Sequence, residues 1–491
     1  MLKRIGMVLL LSVACAAVEK PNIIVIFTDD QGFADIGVHG QVKDIKTPHI
    51  DALARDGITC TSGYITAPQC SPSRAGLLTG KYQQRFGFDT IPDAPLRLEE
   101  VTIAERLKEV GYTTGMVGKW HLEPNHTCVE WGREVCPDQV KGNKVTAPVE
   151  LIMNYFPAAQ GFDEYFKGEM NRYYANYGLD GKDLKSSGEW MDVPGYRLDI
   201  QTDAAAAFIK RNKKEPFFLY LAYFAPHVPL EATEKYLSRF PRSTGSGQAG
   251  KMPERRRYAL AMMSAVDDGI GRIRELLKDL KLDENTLIFY MSDNGAPLGA
   301  NGGSAAYLAD VHPVDHPGGI WDGSLNTPWV GEKGMLMEGG IRVPYLVSWP
   351  ARLPKGKTYK EPVISLDMAA TCLAAAGQPI PKEFDGVDLV PLLAGGGKQD
   401  RALYWRFWQQ TAIRKDQWKY LHLSDGRECL YDLESDRHEK DNLIAQHPEK
   451  AKALRKALAE WNDELEPKGM PAGPIDVQEK FWFGHYLNLG Q

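Results

Sequence analysis

The side chains best placed to do chemistry in this chain stand where apolar runs end. Asn22-Ile-Ile-Val-Ile-Phe27 runs out into Thr28-Asp29-Asp30, and Thr286-Leu-Ile-Phe-Tyr-Met-Ser292 runs out into Asp293-Asn294-Gly295. Asp29, Asp30, Asp293 and Asn294 offer hard oxygen atoms only, which suits Ca²⁺ or Mg²⁺ and not zinc. An isolated Asp-Asp or Asp-Asn-Gly is more often a turn or a helix cap. Two such pairs, each at a strand exit, point to a metal ion. Two further runs end on cations and imidazoles: Thr113 to Lys119, followed by Trp120-His121, and Pro216 to His227. The remaining reactive group is Cys70, in Cys70-Ser-Pro-Ser-Arg-Ala-Gly-Leu-Leu-Thr-Gly80. Ser71 as N-cap, Pro72 in the first turn and Gly80 as the stop place Cys70 at a helix N-terminus, where free N–H groups and the dipole favour negative charge. That setting fits a buried structural cysteine, a thiolate nucleophile of lowered pKa, or the precursor of another group.

These groups need a scaffold that brings strand ends together. The continuous apolar, β-branched runs are those of strands covered on both faces. Between them lie helical patterns: Thr47-Pro48 to Gly57, Thr102 to Gly111, and Glu254 to Leu280. Alternating strands and helices predict an α/β fold with a large mixed, mostly parallel sheet sandwiched by helices. In such sheets ligands bind beyond the carboxyl ends of the strands, so the polar exits should converge. From about Arg401 the texture changes to short aromatic strands, followed by a helix with Leu454, Leu458, Trp461 and Leu465 on one face. The expected organisation is a leader at 1–17, an α/β catalytic domain at 18–400, and a smaller antiparallel sheet plus helix at 401–491. The stretch from Gly295 to Gly331 reads as a loop too polar for the core and long enough to be functional.

The Cys70 to Gly80 pattern resembles the signature of the type I sulfatases, of the alkaline phosphatase-like superfamily, in which that cysteine is oxidised to Cα-formylglycine. Other blocks of the family follow in order along nearly the whole mature chain: Asp29-Asp30, Gly118-Lys-Trp-His121, Pro226-His227, Ser292-Asp-Asn-Gly295, and Lys333 ahead of Glu338-Gly-Gly-Ile-Arg-Val-Pro344. The resemblance implies Ca²⁺ ahead of Mg²⁺, held by Asp29, Asp30, Asp293, Asn294 and the modified Cys70. It implies that the aldehyde hydrate at residue 70 attacks sulfur and later expels sulfate by re-forming the carbonyl. Arg74 and Lys119 would orient the hydrate, His121 would assist the elimination, and His227 and Lys333 would contact the sulfate, with His227 as general acid. A formylglycine-generating or radical maturase enzyme is an implied partner. The chain resembles bacterial polysaccharide and N-acetylgalactosamine-type sulfatases, and its run Trp321 to Trp329 is similar to polysaccharide sulfatases that include those acting on algal galactans such as carrageenan. Read from the residues, His312-Pro-Val-Asp-His316 is a substrate-recognition loop or a plain surface loop sooner than a second metal site. Trp321 and Trp329 in the same stretch offer indole faces either for stacking on a sulfated carbohydrate or for ordinary loop packing. Alternatives are a formylglycine-dependent phosphonate or phosphodiester hydrolase, and an inactive carbohydrate-binding relative, though no nucleophile or ligand is missing.

Bulk properties agree with capture of an anion by a few local cations. The chain has 491 residues, 43% hydrophobic and 25% charged, and a net charge of -6. That balance argues against a general polyanion-binding surface and against nucleic acid as a partner. Lys3-Arg4, a short apolar run and the small residues Ala14, Ala16 and Ala17 form a secretory signal too short to span a membrane, so the expectation is an exported periplasmic or extracellular protein without a transmembrane span. Cys15 offers lipid anchoring as an alternative, against which Ser12 replaces the usual bulky aliphatic. No CxxC pair occurs, and Cys128 with Cys136 is a candidate disulfide after export.

Overall fold

The structure, a computed structural model, describes residues 20–91, 95–241, 254–298, 323–467 and 477–487. The leader, Cys15 and the candidate residues His312, His316 and Trp321 lie outside the described residues.

A ten-stranded sheet crosses the molecule in the order Lys357–Tyr359, Ile58–Cys60, Tyr345–Ser348, Thr286–Ser292, Asn22–Asp29, Phe217–Pro226, Thr113–Gly118, Glu164–Lys167, Arg172–Ala175 and Glu189–Asp192. Within it, Tyr345–Ser348 and Arg172–Ala175 run against the other strands. The sheet is thus mixed and mostly parallel, as the sequence pattern predicts. Alternation along Asn22–Asp29 shows why its run is apolar throughout. Ile24 and Ile26 enter one core with the helices Arg197–Asn212 and Glu254–Asp279, while Ile23, Val25 and Phe27 enter another with Cys70–Thr79 and Leu366–Ala375. Both faces are covered, so successive residues of the strand are all buried.

The helix Ile103–Glu109 begins with a complete capping box, Thr102 accepting from the Glu105 N–H and Glu105 reaching back to the Thr102 N–H. The signature helix begins differently from the expectation. It spans Cys70–Thr79 with extended Gln69 at its N-cap, so Cys70 is its first residue and Ser71 caps nothing. The earliest helical bond runs from the Ser73 N–H to the Gln69 carbonyl, which puts Pro72 at the third helical position, where an N–H would have no helical partner. Gly80 closes the helix in the left-handed region, φ 69°.

A separate four-stranded antiparallel sheet follows, Ala402–Phe407, Gln410–Lys415, Trp418–His422 and Glu428–Asp432, packed against the helix Pro448–Asp463 through Leu454, Leu458 and Trp461. This unit grips the main sheet's loops. Gln410 accepts from the Leu336 N–H and donates to the Gly334 carbonyl, each at 3.2 Å. Arg406 makes a fork to Asp89 at 2.7 and 2.8 Å, with both side chains buried. Glu338 and Arg342 of the Glu338 to Pro344 block face this junction: Glu338 accepts from Lys419, Arg342 and Tyr64. Among the described residues no helix is long and apolar enough to cross a membrane.

Candidate active site

Six separate elements deliver the candidate residues to the carboxyl edge of the sheet. Asp29 ends the Asn22–Asp29 strand and Asp30 follows it in the left-handed region, φ 61°. Such a conformation costs a non-glycine residue about 1–3 kcal/mol and needs support. The Asp30 N–H donates to Asp293 at 3.1 Å, which ties the two strand exits together. His121, at φ 56°, is the second strained residue here. It follows Gly118, where φ is +98° and a Cβ would meet the Ala222 carbonyl at 2.0 Å. Only glycine permits that approach.

Cys70 lies 1% exposed, with Sγ 3.4 Å from His121 Nδ1. One ligand atom each of Cys70, Asp29 and Asp293 falls within 4.8 Å of the others, and Asp29, Asp30 and His227 form a second such group. Arg74, one turn along the signature helix, donates to Asp293 at 2.6 Å, to Tyr220 at 3.0 Å and to the Lys119 carbonyl at 3.2 Å. Lys119 Nζ reaches Asp29 at 2.6 Å. Lys333 Nζ bridges both Asp30 oxygens at 2.7 and 2.9 Å, and the Asn294 amide donates to Asp30 at 2.6 Å. His227 Nδ1 lies 2.6 Å from the Val228 carbonyl, to which it donates, which leaves Nε2 facing Asp30 at 3.6 Å. All the expected residues within the described chain therefore meet in one place.

Three buried carboxylates face Arg74, Lys119 and Lys333, and their protonation follows from that arrangement. Burial alone would raise Asp29, yet Lys119, then His227, Arg74 and Lys333, hold it well below the usual carboxylate range. Asp30 is likewise lowered against burial, chiefly by Lys333. Asp293 goes the other way: burial and the Asp29 charge push it well up, in spite of Arg74 at 2.6 Å. Burial and the Lys119 charge depress His121 to about 4, and burial depresses His227 to about 4 against the pull of Asp29 and Asp30. Lys119 and Lys333 stay charged because Asp29 and Asp30 outweigh their burial.

The donor set fits a hard divalent cation. Asp29 Oδ1 and Asn294 Oδ1 are buried with no hydrogen-bond partner among the described residues, and every ligand atom of the four candidates is oxygen. A cation there would relieve the repulsion between Asp29 and Asp293.

Two features were not read from the sequence. Tyr220 receives the Arg74 hydrogen bond, and Phe224 stacks on His227 at 4.9 Å while Lys119 Nζ sits 5.0 Å from its ring centre. The available signal was a tyrosine inside a strand covered on both faces, whose hydroxyl must find a buried partner. The polar stretch before Lys333 is also more buried than expected. Ser324 and Asn326 are inaccessible because Ser324 binds Asp35, and Asn326 binds the backbone of Ala296 and Gly331.

Residues 21–378 match the family model described as Sulfatase, and residues 329–466 match that for the C-terminal part of N-sulphoglucosamine sulphohydrolase. The chain is 30% identical over 503 residues to an N-acetylgalactosamine-6-O-sulfatase of Bacteroides thetaiotaomicron, covering 90% of this chain and 93% of that one. It is 31% identical over 427 residues to the human N-acetylgalactosamine-6-sulfatase, covering 80% and 69%. The crystal structure of Ps i-CgsB in complex with k-i-k-neocarrahexaose superposes with a TM-score of 0.73 at 28% identity, over 95% of this chain and 97% of that one.

Proposed function

Since the chain belongs to the sulfatase family and is a sulfuric ester hydrolase, we propose that it removes sulfate from carbohydrate, working from a formylglycine hydrate made at Cys70 in an exported protein. The observation that carries the reading is the position of the Cys70 thiol, at the first turn of its helix, 3.4 Å from His121 and grouped with Asp29 and Asp293. Its two similar N-acetylgalactosamine sulfatases and the oligosaccharide held by Ps i-CgsB favour a sulfated galactose-type sugar.

Asp29, Asp30, Asp293 and Asn294, with residue 70, would hold Ca²⁺, which supplies positive charge where sulfate oxygens gather. The hydrate supplies the oxygen that attacks sulfur and, afterwards, a route to release sulfate without water attacking sulfur. The chain's own residues do the rest. Arg74 and Lys119, fixed by Asp293 and Asp29, hold charge beside residue 70 and orient its hydroxyls. His121 stands within reach of the residue-70 side chain, and neutral by burial it is able to take a proton during elimination. Lys333, anchored on Asp30, offers its ammonium to the sulfate. His227 uses Nδ1 on the Val228 carbonyl, so Nε2 is the atom that carries a proton to the leaving sugar oxygen. An incoming sulfate ester adds negative charge beside Nε2 and favours its protonation.

Two measurements on active protein test this. Mass spectrometry of the residue-70 peptide is expected to show the aldehyde or its hydrate, and active protein carrying only thiol refutes the nucleophile. A screen against defined galactose and N-acetylgalactosamine sulfates is expected to release sulfate. Fast phosphodiester cleavage with negligible desulfation refutes the substrate class.

A further inference from the structure

A cleft of about 710 Å³ lies between the main sheet and the C-terminal unit, within the usual size of a ligand site. Its floor includes residues that follow Ile58–Cys60 and Lys357–Tyr359, namely Thr61 and Lys360. Those strands run in the same direction as Asn22–Asp29 and stand three and four places from it in the sheet. The cleft therefore opens along the same edge as the candidate active site, at about 14–19 Å for a strand spacing of about 4.8 Å. One wall is formed by the loops that carry site residues, since Phe33 follows Asp30 and Trp329 precedes Lys333.

The chemistry of the lining is unlike that of the protein as a whole. Five cations face three carboxylates there, in a chain whose net charge is -6. Among the described residues Lys360 and Arg437 are exposed and have no ion-pair partner. Arg342 lies 3.8 Å over the Trp329 ring, Phe33 meets Trp329 edge-on at 5.3 Å, and His39 stacks on Phe33 at 3.9 Å. Aromatic surface and unpaired cations together suit a ligand with ring faces and fixed negative charge.

We propose that this cleft binds a second sulfated sugar unit of the same oligosaccharide whose terminal sulfate occupies the site at Cys70. The inference rests on the carbohydrate-sulfatase reading above. It makes the protein a reader of chain length and of sulfation beyond the reacting residue, with the remote contact expressed in KM.

The test compares wild type with a Lys360→Gln/Arg437→Gln double variant, both side chains being exposed. The substrates are a monosaccharide sulfate that the enzyme desulfates and the hexasaccharide in which that unit is terminal and a further unit is sulfated. The expected result is a KM lower for the hexasaccharide in wild type, and a loss of about fivefold in that preference in the double variant, the size two exposed charge contacts give. An unchanged preference overturns the cleft while leaving the activity standing. Calorimetric titration of Cys70→Ala protein with the same hexasaccharide, with and without the two cleft substitutions, reads binding independently of turnover. Weakened binding in the triple variant supports the cleft even if no sugar sulfate is hydrolysed, and equal binding refutes it. A hexasaccharide lacking the remote sulfate is expected to bind both proteins equally; if it distinguishes them, the charge-based recognition is wrong.

Discussion

Glu439→Gln gives a sharp test of how the C-terminal unit is held. Glu439 and Glu338 are both buried and share Lys419, whose Nζ lies 2.8 Å from Glu439 and 3.0 Å from Glu338. The Glu338 N–H also donates to Glu439 at 2.7 Å. The two carboxyls divide unequally. Burial would raise Glu338, but Lys419, Arg342 and Arg414 pull it down to about 2. Burial raises Glu439, Lys419 opposes, and the Glu338 charge adds, so it is pushed up to about 7 from 4.5. A carboxyl whose folded value exceeds its unfolded one binds protons more readily when folded, so its contribution to stability is lost as pH rises from 4.5 to 7 and is constant above. At 1.36 kcal/mol per unit, a rise of that size corresponds to about 3 kcal/mol. Glu338 has the opposite sign: its contribution, of similar size, is present above pH 4.5 and lost as pH falls toward 2. Glutamine at 439 removes the first dependence and leaves the second. It also disturbs one hydrogen bond, a pH-independent cost of about 1–2 kcal/mol. The variant should therefore be less stable than wild type at pH 5 and equal or more stable at pH 8. Denaturant unfolding of both proteins at pH 5, 6, 7 and 8 measures this difference directly. A stability difference that does not change across that range refutes the unequal division of charge.

The other predictions concern the site. Cys70→Ala should abolish turnover with no change in circular dichroism; appreciable residual activity removes residue 70 as nucleophile. His227→Ala should lose at least tenfold more activity on sugar sulfates than on activated aryl sulfates, whose leaving groups need less protonation, and equal losses on both argue against proton donation. Gly295→Ala places a Cβ 1.8 Å from the Gly339 carbonyl, so it should cost about 3 kcal/mol or more and lower the melting temperature; a wild-type melt shows that the two loops separate without penalty. Chelator treatment should lower the melting temperature of wild type, with Ca²⁺ restoring it, and should leave Asp29→Asn/Asp293→Asn protein unmoved if those carboxylates hold the ion.

Much of the site was legible because its parts are local. Asp29-Asp30, Lys119 with His121, His227 and Asp293-Asn294 each end an apolar run, and the rule that parallel strands gather their carboxyl ends brings them together without knowledge of strand order. What could not be read is which group answers which. The Arg74 bond to Asp293 and the Lys119 bond to Asp29 depend on Asn22–Asp29 lying between Thr286–Ser292 and Phe217–Pro226, and that order leaves no periodic trace in any single segment. The N-cap assignment failed for a local reason. Ser71 has the right chemistry for a cap, but the Ser73 N–H is bonded to the Gln69 carbonyl, so the helical ladder starts one residue before Cys70 and Ser71 already lies inside the first turn. The block Glu338 to Pro344 illustrates a third case. It follows Lys333 in the family pattern, yet Glu338 and Arg342 act at the junction with the C-terminal sheet, while Lys333 reaches Asp30.

The depth of Cys70 has a consequence in time. A thiol 1% exposed is closed to any other enzyme once the chain has folded, so an aldehyde at this position has to be made earlier. The order of synthesis leaves an interval for it. Cys70 leaves the ribosome long before Asp293, Lys333 and Gln410, and until those segments exist its helix has neither the carboxylate that anchors Arg74 nor the loop that the last sheet clasps. Under the proposed conversion of residue 70, the C-terminal unit would act as a clock as well as a support, because its arrival would end the period in which that residue can be altered.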